Sequence, residues 1–312
     1  MTTAFSIVLP VFALILCGYV FARAQVLRAE GVKGIADFVF YLAIPALLFR
    51  STASGALLGA ESFDVAYVYY LGAFIVFGIA LVIGRFFFAL DLPKQALMAI
   101  SATFSNAVLL GIPLIFTAFG QAGQGPVLLI VSLHTLVLIS FATVLIEIGR
   151  GAGARSGRVI ASTAIALVKN PLIIAILVGS AWGALGWRLP APVDTFTRLL
   201  AGAAAPAALF ALGATLAAFR IAGDLRDVAV IVVLKLVVHP ALVWLLATQL
   251  FHLGPTETAV AVVVAALPTG ANPFILAQRY DLYVRRAASS VVISTALSVL
   301  TAALLLAWYA PG

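Results

Sequence analysis

The chain has 312 residues, 64% of them hydrophobic and only 9% charged, with a mean hydropathy of +1.20. That composition excludes a water-soluble domain and describes a polytopic membrane protein, long enough for about ten crossings of roughly 20 apolar residues each. The net charge of +7 does not point to nucleic acid, because the basic residues lie in short loops between apolar runs, where membrane orientation accounts for them.

Taken in order, the apolar runs predict spans at 5–22, 34–52, 65–85, 95–119, 126–147, 161–184, 195–218, 228–250, 257–278 and 287–308. Long runs without two-residue alternation argue against a β-barrel. The first run has no preceding Lys or Arg and no clean small-residue cleavage site, so it reads as a retained helix. A single cysteine, Cys17, excludes an intramolecular disulfide framework and a cysteine metal cluster.

Lysines and arginines alternate strongly between the two sides. Connections after spans 1, 3, 5, 7 and 9 hold Arg23, Arg28, Lys33, Arg85, Lys94, Arg150, Arg155, Arg158, Arg220, Arg226, Arg279, Arg285 and Arg286. The opposite side holds Arg50, Arg188 and Arg198. This asymmetry places both termini outside and the 148–160 connection in the cytoplasm.

Prolines recur at a fixed offset. Pro10 and Pro171, like Pro45 and Pro206, are 161 positions apart, and Pro113 and Pro273 are 160 apart. The pairs fall in spans 1 and 6, 2 and 7, and 4 and 9. Two five-helix halves, 1–147 and 161–312, are therefore expected. Five is odd, so the second half enters the membrane from the other side, which makes an inverted repeat of the kind common in secondary transporters.

Spans 4 and 9 are interrupted, the first within Ser105–Leu114, where Gly111 and Pro113 stand, and the second by Pro268-Thr269-Gly270-Ala271-Asn272-Pro273. Proline lacks the amide hydrogen and clashes with the preceding turn, and glycine tolerates conformations closed to other residues. Each break exposes a half-helix amino end carrying about +0.5 charge, a natural anion site if the two breaks meet. Asn106 and Asn272 either donate to a bound carboxylate or cap the broken backbone, and Thr103, Ser105 and Thr269 add hydroxyls.

All eleven acids lie in connections or near span ends, so a cation substrate lacks a counter-ion and an anion is favoured. The deep ionisable groups are Lys235, His239 and His134. Lys235 and His239 are four apart and share a helix face, roughly 12 Å and 18 Å from Asp227 along the helix. Lys235 either snorkels toward the cytoplasm or attracts the anion and titrates during transport; His239 and His134 either bridge helices or couple protons. No nucleophile elbow with a histidine, catalytic acid pair or metal-ligand spacing occurs within the spans, so neither enzyme chemistry, a cofactor nor a metal is expected.

Asn106 with Gly111-Ile112-Pro113, and above all the Pro268-Thr269-Gly270-Ala271-Asn272 run, resemble the auxin efflux carrier family along essentially the whole chain. Bacterial members of that family include proteins described as malonate or other organic-acid carriers. The resemblance implies an all-α membrane protein of ten helices in a five-plus-five inverted repeat, with helices 4 and 9 crossing at their breaks. It further implies scaffold helices 1, 2, 6 and 7, transport helices 3–5 and 8–10, and elevator-type alternating access. Substrate would lie against Asn106, Gly111, Ile112, Pro113, Thr269, Gly270, Ala271, Asn272 and Pro273. Plant relatives are homodimers that export the indole-acetate anion without an evident sodium requirement, and bile-acid sodium symporters share the crossover fold. Here the central loop is short, so the regulated loop of many plant members is missing. The expected protein is a bacterial inner-membrane carrier of small organic anions, malonate-type or auxin-like, with a homodimer through the scaffold helices. A sodium-coupled symporter, a channel and a transport-fold receptor are the alternatives.

Overall fold

The computed structural model describes residues 2–55, 63–151, 169–223 and 225–309. Most of the 148–160 connection, the start of the expected span 161–184, and Glu61, Arg155, Arg158 and Asp224 lie outside the described residues.

Among the described residues the chain is helical and contains no strand, only one isolated β-bridge. Buried in hydrocarbon, backbone amides and carbonyls must be satisfied within the chain, which helices do segment by segment. The elements are α1 (Thr2–Arg23), α2 (Ala29–Ala53), α3 (Asp64–Phe86), α4 (Leu92–Thr103) and α5 (Ala107–Gly149). They continue with α6 (Pro171–Ala184), α7 (Ala191–Leu216), α8 (Leu225–Leu250), α9 (Pro255–Ala266), α10 (Asn272–Tyr280) and α11 (Val284–Tyr309). Seven of these are long and apolar enough to cross a membrane, and α6 and α9 are shorter apolar helices.

Two expected boundaries shift. Spans 4 and 5, expected as separate runs, are divided within α5 at Gly120, whose φ of 55° and ψ of −135° no helix accommodates. α2 begins earlier than expected and takes in Glu30 and Lys33, which remain exposed. The break in span 4 lies at Phe104–Asn106, before Gly111 and Pro113.

That helix persists through three of the prolines has a visible backbone cause. Wide π turns at Val39–Ala43, Ala107–Gly111 and Leu234–Val238 each end two residues before a proline: Pro45, Pro113 and Pro240. The extra residue in such a turn frees the carbonyl that the proline ring would strike, so the helix continues through it.

α1 runs along α7, and α2 packs on α6 and α7. These contacts are backbone to backbone. A methyl at Gly18 would lie 2.0 Å from the Phe210 carbonyl oxygen, and one at Gly179 would lie 2.5 Å from that of Phe49. Only glycine permits so close an approach. Gly18 and Gly179 are 161 positions apart, and so are Phe49 and Phe210. Arg50 ties the end of α2 to the start of α7 through Asp194 at 2.7 Å. The other helices form a second group in which α9 lies against α3, α5, α8 and α11.

Candidate functional site

The two breaks pair with each other. α4 ends at Thr103 and α9 at Ala266, after which the chain extends on both sides. Ser105 and Thr269 form the antiparallel bridge; the Asn106 amide donates to the Pro268 carbonyl at 2.9 Å, and the Gly270 amide to that of Phe104 at 3.0 Å. Broken backbone in hydrocarbon is thereby satisfied by the other break. A methyl at Gly270 would meet the Phe104 ring at 2.9 Å, and one at Gly111 would meet Leu267 at 2.7 Å, so these glycines set how closely the breaks approach.

Thr269 belongs to this framework. Its hydroxyl donates to the Ser101 carbonyl at 2.8 Å, and its amide to Ser294 Oγ at 3.0 Å. Pro273 occupies the first turn of α10, where its missing amide hydrogen costs nothing. Pro113 and Ile112 are buried at the start of the α-helical part of α5, just after the π turn that Asn106 opens. Ala271 precedes α10 as its N-cap, and Asn272, half-buried, is its first residue.

Asn106 is 6% exposed, and its side chain does not cap the π turn that follows. The Nδ2 group is buried and has no hydrogen-bond partner. Of the two roles open to an asparagine here, backbone capping is thus not the one this side chain performs.

Ser105 gathers the deep polar groups. Its hydroxyl donates to the Val264 carbonyl at 2.7 Å, which uses its only proton. It therefore accepts from Lys235 Nζ at 2.8 Å and from the Tyr69 hydroxyl at 2.9 Å. Lys235 is fully buried in the π turn of α8, and its Nζ also donates to the Ala265 carbonyl and lies 3.4 Å from His239 Nδ1. The snorkelling reading of Lys235 is overturned: the side chain reaches the breaks and not the cytoplasmic surface. His134 Nε2 sits 3.1 Å from the Ser105 amide nitrogen and 3.1 Å from its carbonyl oxygen, accepting from the former in its Nδ1-protonated tautomer. The Tyr69 ring lies between the two histidines, with centroid distances of 5.7 Å to His134 and 5.4 Å to His239.

Lys235 takes part in no ion pair among the described residues. The buried acid at the start of α8, Asp227, is engaged by Arg286 at 3.0 Å and by the Tyr283 hydroxyl at 2.9 Å. The structure thus joins Asn106, Thr269, Gly270, His134, Lys235 and His239 in one region. It adds Tyr69, Ser101 and Ser294, which sequence reasoning missed. A signal existed for Ser294: Ser290, Ser294 and Ser298 recur every four residues and all are buried, one helix face.

Comparison with known proteins points to membrane transport. The family model described as "Membrane transport protein" matches residues 3–306. The chain is 29% identical to the "Putative malonate transporter" of Rhizobium meliloti over 95% of this chain and 92% of that protein. It is 25% identical to the mouse "Lysosomal cholesterol signaling protein" over 95% of this chain, though only 36% of that longer protein. A 123-residue stretch, 38% of this chain and 33% of its counterpart, is 34% identical to "Auxin efflux carrier component 8" of Arabidopsis thaliana. The chain belongs to this membrane transport protein family: it is a membrane transporter and not an enzyme.

Proposed function

We propose that the chain is a secondary transporter that carries a small organic anion, a malonate-type dicarboxylate or an auxin-like monocarboxylate, across a bacterial inner membrane. The observation that carries this reading is the buried, unpartnered Nδ2 of Asn106, beside a break where Lys235 supplies positive charge. A buried donor without a partner costs about 1–3 kcal/mol, which a carboxylate oxygen would relieve. The amino end of α10, with Asn272 at its first position, offers a second point of attraction for negative charge.

The same reading takes the chain as ten crossings in two inverted halves, 1–147 and 161–312, joined by the cytoplasmic linker 148–160. Two observations support it. The stretch Ala107–Gly149 has 43 residues, roughly 65 Å as a straight helix and about twice the hydrocarbon thickness, so Gly120 divides two crossings. The contacts of Gly18 with Phe210 and of Gly179 with Phe49 exchange under the 161-residue offset. α1, α2, α6 and α7 form the scaffold, which also serves a homodimer, and the remaining helices shift against it as an elevator.

Uptake of malonate and indole-acetate into proteoliposomes tests this reading. Saturable uptake is expected, and Asn106→Ala and Asn272→Ala lower it at least about tenfold, the loss of one charge-assisted hydrogen bond, with unchanged melting temperatures. Wild-type flux in both variants sinks the site assignment. Flux that never saturates identifies a channel, and binding without flux a receptor.

A further inference from the structure

We infer that Lys235 is a built-in cation that positions the paired breaks, its ammonium occupying a monovalent-cation site that the protein would otherwise have to fill from solution. The inference rests on reading the paired breaks as the anion's site, and it adds what holds that site in shape.

Two helix carboxyl ends meet there, those of α4 and α9. Each carries about −0.5 charge, so together they amount to roughly one negative charge among buried side chains. Two of the α9 terminal carbonyls are taken up separately. Val264 accepts from Ser105 Oγ at 2.7 Å, and Ala265 accepts from Lys235 Nζ. The ammonium has three protons and three neighbours: Ser105 Oγ and the Ala265 carbonyl oxygen, which accept, and His239 Nδ1 at 3.4 Å, which accepts in its Nε2-protonated tautomer. None of the three is a carboxylate. A lysine buried beside an acid would be an ordinary ion pair; this one is balanced by backbone dipoles.

Two consequences separate this role from plain packing. Ser105 Oγ and the Ala265 carbonyl oxygen are engaged by Nζ and are not free to coordinate a metal cation, so on this proposal anion binding needs none. Shortening the side chain to alanine removes the ammonium and most of the stem, and leaves a cavity edged by the Ser105 hydroxyl and the Ala265 carbonyl, shaped for propylammonium. The π turn that holds Lys235, Leu234–Val238, stays in place because Pro240 imposes it.

The experiment measures melting temperature and malonate affinity of purified protein in sodium-free choline buffer. Wild type binds malonate equally well with and without sodium. Lys235→Met keeps the apolar volume and loses the charge; its malonate affinity falls at least about tenfold, as expected for buried acceptors left unsatisfied. Propylammonium raises the melting temperature of Lys235→Ala without any anion present, restores its malonate affinity and leaves wild type unchanged. A sodium requirement in wild type overturns the proposal, as does wild-type affinity in Lys235→Met or a folded Lys235→Ala indifferent to propylammonium. If both variants fail to fold, the sodium comparison on wild type decides. If wild type binds no carboxylate, the anion reading fails alone, because the propylammonium shift of Lys235→Ala still tests the cation site.

Discussion

The hydroxyl of Ser105 meets three partners at once, and its single proton and two lone pairs are all spent on them. Ser105→Ala strips one acceptor from Lys235, one from Tyr69 and one donor from Val264. It is expected to cost about 2 kcal/mol of stability and to reduce transport more than Asn106→Ala does, since it loosens the break itself; melting curves beside uptake assays check both. Tyr69 enters this network unannounced. It sits in the run Tyr67-Val68-Tyr69-Tyr70, where residue type cannot say which hydroxyl turns inward, and the structure leaves Tyr67 exposed while burying Tyr69 completely. Lys235 was legible because a lone charge in an apolar run demands a reason. Its destination was not, because the partner atoms belong to residues 130 and 30 positions away.

At the level of elements, the two breaks were unequally readable. Pro268 and Gly270 announce the second. The first carries no glycine or proline at all: Phe104, Ser105 and Asn106 leave helical geometry because their backbone groups pair with Pro268 and Gly270, a tertiary cause. Gly111 and Pro113 drew attention instead, yet a π turn absorbs that proline. The close approach is testable. Gly270→Ala pushes a methyl against the Phe104 ring, an overpacking that costs about 1–3 kcal/mol, and it is expected to abolish transport. Because the obstacle is chiefly a side chain, Phe104→Leu in the same protein should recover part of the melting temperature and of the uptake; no recovery would mean that the backbone contact at Ser105 dominates.

For the molecule as a whole, the proline offset is the sequence signal behind the proposed two halves, while the pairing of α1 with α7 and of α2 with α6 was not legible, because apolar faces of this kind do not name their partners. The orientation proposed from the basic residues has a direct check. In a Cys17→Ser background, Arg188→Cys is expected to react with an impermeant maleimide on intact spheroplasts, and Arg150→Cys only after lysis; the reverse pattern would invert the topology. The glycine contacts also dictate an order of assembly. Gly18 on α1 must wait for Phe210, whose codon is translated roughly 190 residues later, about 10–40 s at ordinary synthesis rates. During that interval α1 stands in the bilayer with lipid against the groove meant for α7. The packing of α1 is therefore completed only after α7 has been inserted, and a chain stalled before that point leaves the α7 groove of its first helix open to any chaperone or protease.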